Sequence, residues 1–180
     1  MLAKWVIAAL CASLAQGLFA EGALSGRRAP GFSLPDRTMK QHDPLDYRGK
    51  VLILDMMQTG CPTCKIVSGV LEQVAAKYGE KVQVLSIVVP PDTMDMVQKY
   101  IAANNIKSPI LFDCGQVTGS YLKITPQNPT VKFPHVFLID PEGMIRTDLD
   151  HDDANHGKLT IKTLSAAIDK ILQGLPAKKR

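Results

Sequence analysis

The 180-residue sequence has no second pair of closely spaced cysteines, no strong excess of either charge, no internal repeat and no apolar run long enough to be a clear membrane span. Structural zinc takes four ligands, commonly from two C-x-x-C-like pairs. Here Cys61 and Cys64 make one pair, with Cys114 and scattered histidines left over, which argues against a zinc knuckle. The net charge is +4, and without residues 1–20, whose one charge is Lys4, 20 basic residues face 17 acidic ones. That balance is too mild for a nucleic-acid partner. The basic end 177–180 (AKKR) reads as a solvated tail. Near the N-terminus the apolar residues 5–15 are broken at Gln16 and Gly17, which is short for a span. With Lys4 before them and small residues up to Ala20 after them, residues 1–20 read as a signal peptide, with an uncleaved anchor as the rival. Cys11 is not read as a lipidated cysteine, because Leu10 is too large for the residue before one. Export would leave three cysteines in an oxidising compartment, so at least one lacks an intramolecular partner.

The remainder has what one ordinary domain needs, since 46% of the residues are hydrophobic. Residues 21–29 are small, polar and glycine-rich and read as a linker; the domain is placed at 30–176. The run VLILDMM (51–57) suits a strand buried on both faces. From residue 62 to 78 the period changes: Ile66, Val67, Val70, Leu71 and Val74 mark an amphipathic helix that Gly79 stops. A second buried strand follows at 82–89. A helix is expected at 91–105 with Asp92 as its N-cap. A short strand (109–113), a short helix at best (115–122), a proline-rich loop (123–134), a strand pair (135–140 and 144–149) and a last helix carrying Leu164, Ile168 and Ile171 complete the chain. Alternation of this kind predicts βαβ units and an α/β fold, a central mixed sheet flanked by helices on both faces.

The chemistry gathers in LDMMQTGCPTCKIV (54–67). Metal knuckle, redox dithiol and stapling disulfide are the competing readings of its two thiols. Pro62 fits a first helical position, which makes Cys61 the N-cap. Backbone N–H groups and the helix dipole favour a thiolate there. Cys64 lies one turn on, on the same side and more buried. An exposed attacker and a shielded resolver are what thiol–disulfide exchange requires. Asp55, on the strand feeding the helix, has apolar neighbours, so its pKa should rise. It would relay a proton to or from Cys64; the plain alternative is a satisfied aspartate at a strand end.

This stretch resembles the active-site strand and helix of thioredoxin-like proteins, with Asp55 at their buried aspartate and Cys61 and Cys64 at their redox pair. APGFSLPD (29–36) and FPHVFLIDPEGMI (133–145) are similar to segments of the exported TlpA/ResA-like thiol–disulfide oxidoreductases, the redoxin branch. The resemblance implies a thioredoxin-like fold and a cis peptide at Phe133–Pro134 beside the cysteines. It implies protein or peptide thiols and disulfides as partners, and a membrane electron donor for reductase work. No organic cofactor is needed, and a monomer is expected. Cys61, Cys64, Asp55 and Pro134 are the expected catalytic set; Gly60, Pro62, Thr63 and Phe133 are expected to meet the substrate.

The departures are informative. Gly60 stands where relatives carry tryptophan, and the chain's one tryptophan is Trp5. Val67 replaces an acidic residue common in cytochrome-maturation members, and Ser86 the buried lysine of thioredoxins proper. A copper-binding metallochaperone is the rival function: Cys61, Cys64 and His135 would hold Cu(I), with Met56 or Met57 adding a thioether. Thioredoxin-like copper proteins usually space their cysteines wider, and the plain reading of His135 is a partly exposed strand residue. Peroxidases of the peroxiredoxin branch need a proline and a threonine ahead of their cysteine; Leu54 and Gln58 stand in those places for Cys61, and Met57 and Cys61 for Cys64. Cys114 is expected to be a small buried hydrophobe. His151 and His156 read as parts of a solvated loop, Met94 and Met96 as helix-face residues.

Overall fold

The computed structural model describes residues 22–150 and 159–174. The leader 1–20, the histidines at 151 and 156 and the tail 177–180 lie outside them. Five strands form one sheet: β3 (Val51–Met57), β4 (Val82–Val88), β5 (Ile110–Phe112), β6 (His135–Ile139) and β7 (Ile145–Asp150), in spatial order β5-β4-β3-β6-β7. β1 (Leu34–Pro35) and β2 (Gln41–His42) make a separate antiparallel ribbon. β3 runs parallel to β4 and antiparallel to β6, and all seven of its residues are buried. The unbroken apolar run in the sequence reflects this position, since both edges and both faces of a central strand are covered.

The pleat sorts the side chains into two layers. Val51 and Ile53 pack with α1 (Pro62–Tyr78) and α4 (Ile161–Gln173). Leu52, Leu54 and Met56 pack on the other face with Tyr121 and Leu122 of α3 (Gln116–Leu122) and with Phe32. α2 (Met94–Asn104) joins the first layer, where its Val97 and Tyr100 meet Met57 and Cys64. The sheet is therefore mixed, with helices on both faces.

α1 spans the residues its periodicity predicts. Its buried stripe is Cys64, Val67, Ser68, Leu71 and Val74, so Ile66, expected on that face, points outward at 68% exposure. α2 starts later than expected. Its N-cap is Thr93, whose side chain accepts from the Met96 N–H at 3.3 Å, while Asp92, expected in that role, accepts from Thr59 instead. Residues 22–29 also differ from a free linker. Gly26 N–H donates to the Ile145 carbonyl at 2.9 Å, Ile145 N–H to the Arg27 carbonyl at 2.8 Å, and Leu24 N–H to Asp148 at 2.9 Å. Among the described residues β7 pairs with one strand, β6, and this segment bonds the start of its other edge at Ile145.

The β6–β7 turn depends on Gly143, at φ +83°. A Cβ there would lie 2.6 Å from the Arg48 guanidinium, which can swing away, but the backbone cannot leave the left-handed region. Gly143→Ala is expected to cost about 1–2 kcal/mol, read as a lower urea midpoint at unchanged slope. An unchanged midpoint would show that the turn relaxes.

Candidate active site

The C-terminal end of β3 and the N-terminus of α1 place the two cysteines. Cys61 is the N-cap, extended at φ −87° and ψ 117°, and Pro62 follows it at the first helical position. Cys61 and Cys64 are joined as a disulfide with Cα atoms 5.2 Å apart. The Cys64 N–H points at the Cys61 sulfur at 3.1 Å, so an α1 backbone donor is aimed at the atom that would carry a thiolate's charge. Cys64 is fully buried against Met57, Val88, Val97 and Ile110, while Cys61 is partly exposed. Gly60 and Pro62 are exposed, Thr63 is partly so, and a Cβ on Gly60 would touch nothing within 4 Å. Access to Cys61 is open on that side.

Phe133–Pro134 is a cis peptide, and Pro134 is buried. The Phe133 carbonyl oxygen lies 4.0 Å from the Cys61 sulfur, and the Phe133 ring packs into the cluster around Cys64. Asp55 shares the face of Met57, beneath α1. It is fully buried; Ser86 donates a hydroxyl hydrogen bond to it at 3.4 Å, and its other carboxylate oxygen has no partner. Burial pushes its pKa up to about 7, and the single Ser86 hydrogen bond only partly opposes this. A carboxyl of that kind exchanges protons near neutral pH.

His135 is not brought to the sulfurs. It pairs in register with Met56, on the sheet face opposite Asp55, where it stacks on Phe137 at 4.6 Å and lies 3.4 Å from Asp148. It is buried, against the expectation of partial exposure, and its Nε2 is not aligned for a hydrogen bond with that carboxylate. The pleat decides the matter, because a residue one step beyond Pro134 points through the sheet. Among the described residues no group of three metal-ligating side chains is assembled. Cys114 is exposed rather than buried, since Asp113 turns inward to accept from the Val117 and Thr118 N–H groups and leaves its neighbour at the outer corner.

Residues 25–148 match the model of the AhpC/TSA family. The thiol–disulfide oxidoreductase ResA of Bacillus anthracis is 31% identical over 137 residues, covering 74% of this chain and 75% of that protein. The chain belongs to the AhpC/TSA family, in its ResA-type thioredoxin-like branch. The thiol:disulfide interchange protein DsbE of Vibrio cholerae is 30% identical over 131 residues, covering 70% of this chain and 65% of its own. A secreted Mycobacterium tuberculosis disulfide oxidoreductase homologous to E. coli DsbE superposes with a TM-score of 0.61 at 20% identity, over 77% of this chain and 95% of that one, and shows the shared fold. Family membership makes the chain an oxidoreductase with a thioredoxin-like fold, and Cys61–Cys64 is its disulfide-forming pair.

The sequence did not reveal how the loop ahead of Cys61 is held. Asp92 accepts from the Thr59 N–H at 2.8 Å and from the Thr59 hydroxyl at 2.5 Å. The dipeptide Pro90–Pro91 before an aspartate was the available signal. It marks a turn ahead of α2, closed by the Asp92 N–H on the Val89 carbonyl at 3.1 Å.

Proposed function

We propose that this protein is an exported thiol–disulfide oxidoreductase that exchanges disulfides with cysteine pairs of other proteins. One observation carries the reading: the disulfide sits at a helix N-terminus with Cys64 sealed and Cys61 open beside the Phe133 carbonyl. Acting as a reductase, the Cys61 thiolate attacks a partner disulfide, forms a mixed disulfide and releases one partner thiolate, which takes a proton. Cys64 then gives up its proton, attacks the Cys61 sulfur and releases the second partner thiol. Two electrons leave the protein, and Cys61–Cys64 becomes a disulfide. Asp55 is the acceptor for the Cys64 proton, through a water, and returns it in the reverse direction. Pro134 follows the carbonyl that faces Cys61 and would shield the pair, and the Phe133 backbone, with Gly60, Pro62 and Thr63, would meet an extended partner segment. The leader pattern of residues 1–20 supports work outside the cytoplasm, recharged by a dithiol donor at the membrane. Among the described residues no helix is long and apolar enough to cross a membrane.

The test is a trap. Cys64→Ser is expected to accumulate a mixed disulfide through Cys61 with a model disulfide peptide and with extracytoplasmic proteins, at a level at least tenfold above wild type on non-reducing gels. Absence of any such adduct, with the Cys61 thiol shown to be free and alkylatable, would overturn the exchange mechanism.

A further inference from the structure

The turn Gln58–Cys61 leads directly into the nucleophile, yet little holds it. Cys61 N–H closes it on the Gln58 carbonyl at 3.2 Å, and Gly60 has open space around it. Asp92, which follows β4, supports it from outside and spends both carboxylate oxygens on Thr59. Such charge-assisted bonds are short and directional. Thr59 and Cys61 are two residues apart, so their Cα atoms are separated by no more than about 7 Å. Asp92 is also free for this work, because Thr93 caps α2 in its place.

We propose that Asp92 is a positioning residue for the disulfide exchange assigned above: by clamping Thr59 it fixes the Cys61 end of the redox loop, so that the two sulfurs are pre-placed for ring closure. The proposal rests on that functional reading. Ring closure between Cys61 and Cys64 is an intramolecular step, and its equilibrium depends on how narrowly the loop confines the first sulfur relative to the second. Cys64 is anchored by burial in the α1 face. Cys61 is held by α1 on one side, its carbonyl accepting from the Lys65 N–H at 3.2 Å, and by the turn before it on the other. A clamp on Thr59 therefore raises the effective concentration of one thiol at the other without touching either sulfur. Its negative charge also lies toward the α1 N-terminus, where it opposes a thiolate, so charge and clamp must be separated experimentally.

The readout is the equilibrium constant of the Cys61–Cys64 disulfide against glutathione, with thermal unfolding measured in parallel. Asp92→Asn removes the charge and keeps a shape that can still bond Thr59; Asp92→Ala removes both. Asp92→Ala is expected to shift the equilibrium toward the dithiol about five- to tenfold relative to Asp92→Asn. Thr59→Val, which keeps the backbone bond and the carboxylate, should shift it in the same direction by about half as much on a logarithmic scale. The double variant should be no worse than Asp92→Ala alone. A purely structural role would lower the unfolding temperature and leave the equilibrium within twofold, and that result overturns the proposal. Additive effects of the two substitutions overturn it as well. If Asp92→Ala does not fold, Thr59→Val decides, and an equilibrium within 1.5-fold of wild type counts against the clamp. A wild-type protein that never equilibrates with glutathione sinks the functional reading and this proposal with it. A wild type that does so, alongside unchanged variants, sinks this proposal alone.

Discussion

At pH 8 the Asp55→Asn variant is expected to be more stable than the wild type, and slower. Asp55 is fully buried, and its pKa is pushed from the ordinary 3.8 up to about 7. In the unfolded chain the carboxyl ionises near 4; in the folded protein it holds its proton to about 7. Between these values the native state binds more protons than the unfolded state, so stability falls as pH rises, and above the folded pKa the loss is complete. The shift corresponds to roughly 4 kcal/mol. Asparagine removes that penalty but leaves amide hydrogens short of acceptors, at a cost of about 1–3 kcal/mol. One oxygen at this position is already without a partner. The net gain should be about 1–3 kcal/mol at pH 8 and should turn into a loss of about 1–3 kcal/mol near pH 4, where wild-type Asp55 is neutral too and only the amide cost remains. Denaturant unfolding across pH 4–8 measures it; a difference between variant and wild type that stays flat with pH contradicts a raised native pKa. The same substitution should slow resolution by Cys64 about a hundredfold at pH 7, since amide cannot take the thiol's proton. Single-turnover reduction of a peptide disulfide reads that rate, and an unchanged rate removes Asp55 from the proton path. Greater stability with lower activity is the expected mark of a group kept for its chemistry.

Phe137→Ala should be among the most damaging single changes away from the sulfurs. Phe137 has no exposed surface and faces Leu54 across the β3–β6 pair. Its ring meets Tyr121 edge-on at 5.3 Å and His135 in a stack at 4.6 Å, so it joins β6 to α3 beneath the site. Truncation leaves a cavity among residues fixed on three sides, for a loss of about 3–5 kcal/mol. For a chain of this length that lowers the thermal midpoint by about 10 °C, measurable by circular dichroism. A fall below about 3 °C would show that the layer collapses around the gap.

Much of the scaffold was legible because it is written in local periods. β3 and α1 occupy the predicted residues, and the α1 start follows from Pro62 and an N-cap at Cys61. The disulfide-forming pair follows from the same lines, since one helical turn fixes how far apart two such thiols can be. Ile66 was misread because Val67 and Val70 can be grouped with either neighbour, and only packing against the sheet selects the stripe. The cover that residues 22–29 lay along β7 was equally hidden, because glycine-rich composition reports backbone freedom and not what edge awaits it.

By itself the sequence determined that this chain alternates strands and helices and presents two thiols one turn apart at a helix start, since these depend on neighbours in the chain. Tertiary structure alone decided that His135 faces away from the sulfurs, that Cys114 stands outside, that Asp55 is buried deeply enough to titrate near neutrality, and that Asp92 holds Thr59 from 33 residues away. Each of these is set by which strand lies beside which, and pairing between distant segments leaves no periodic mark in either one.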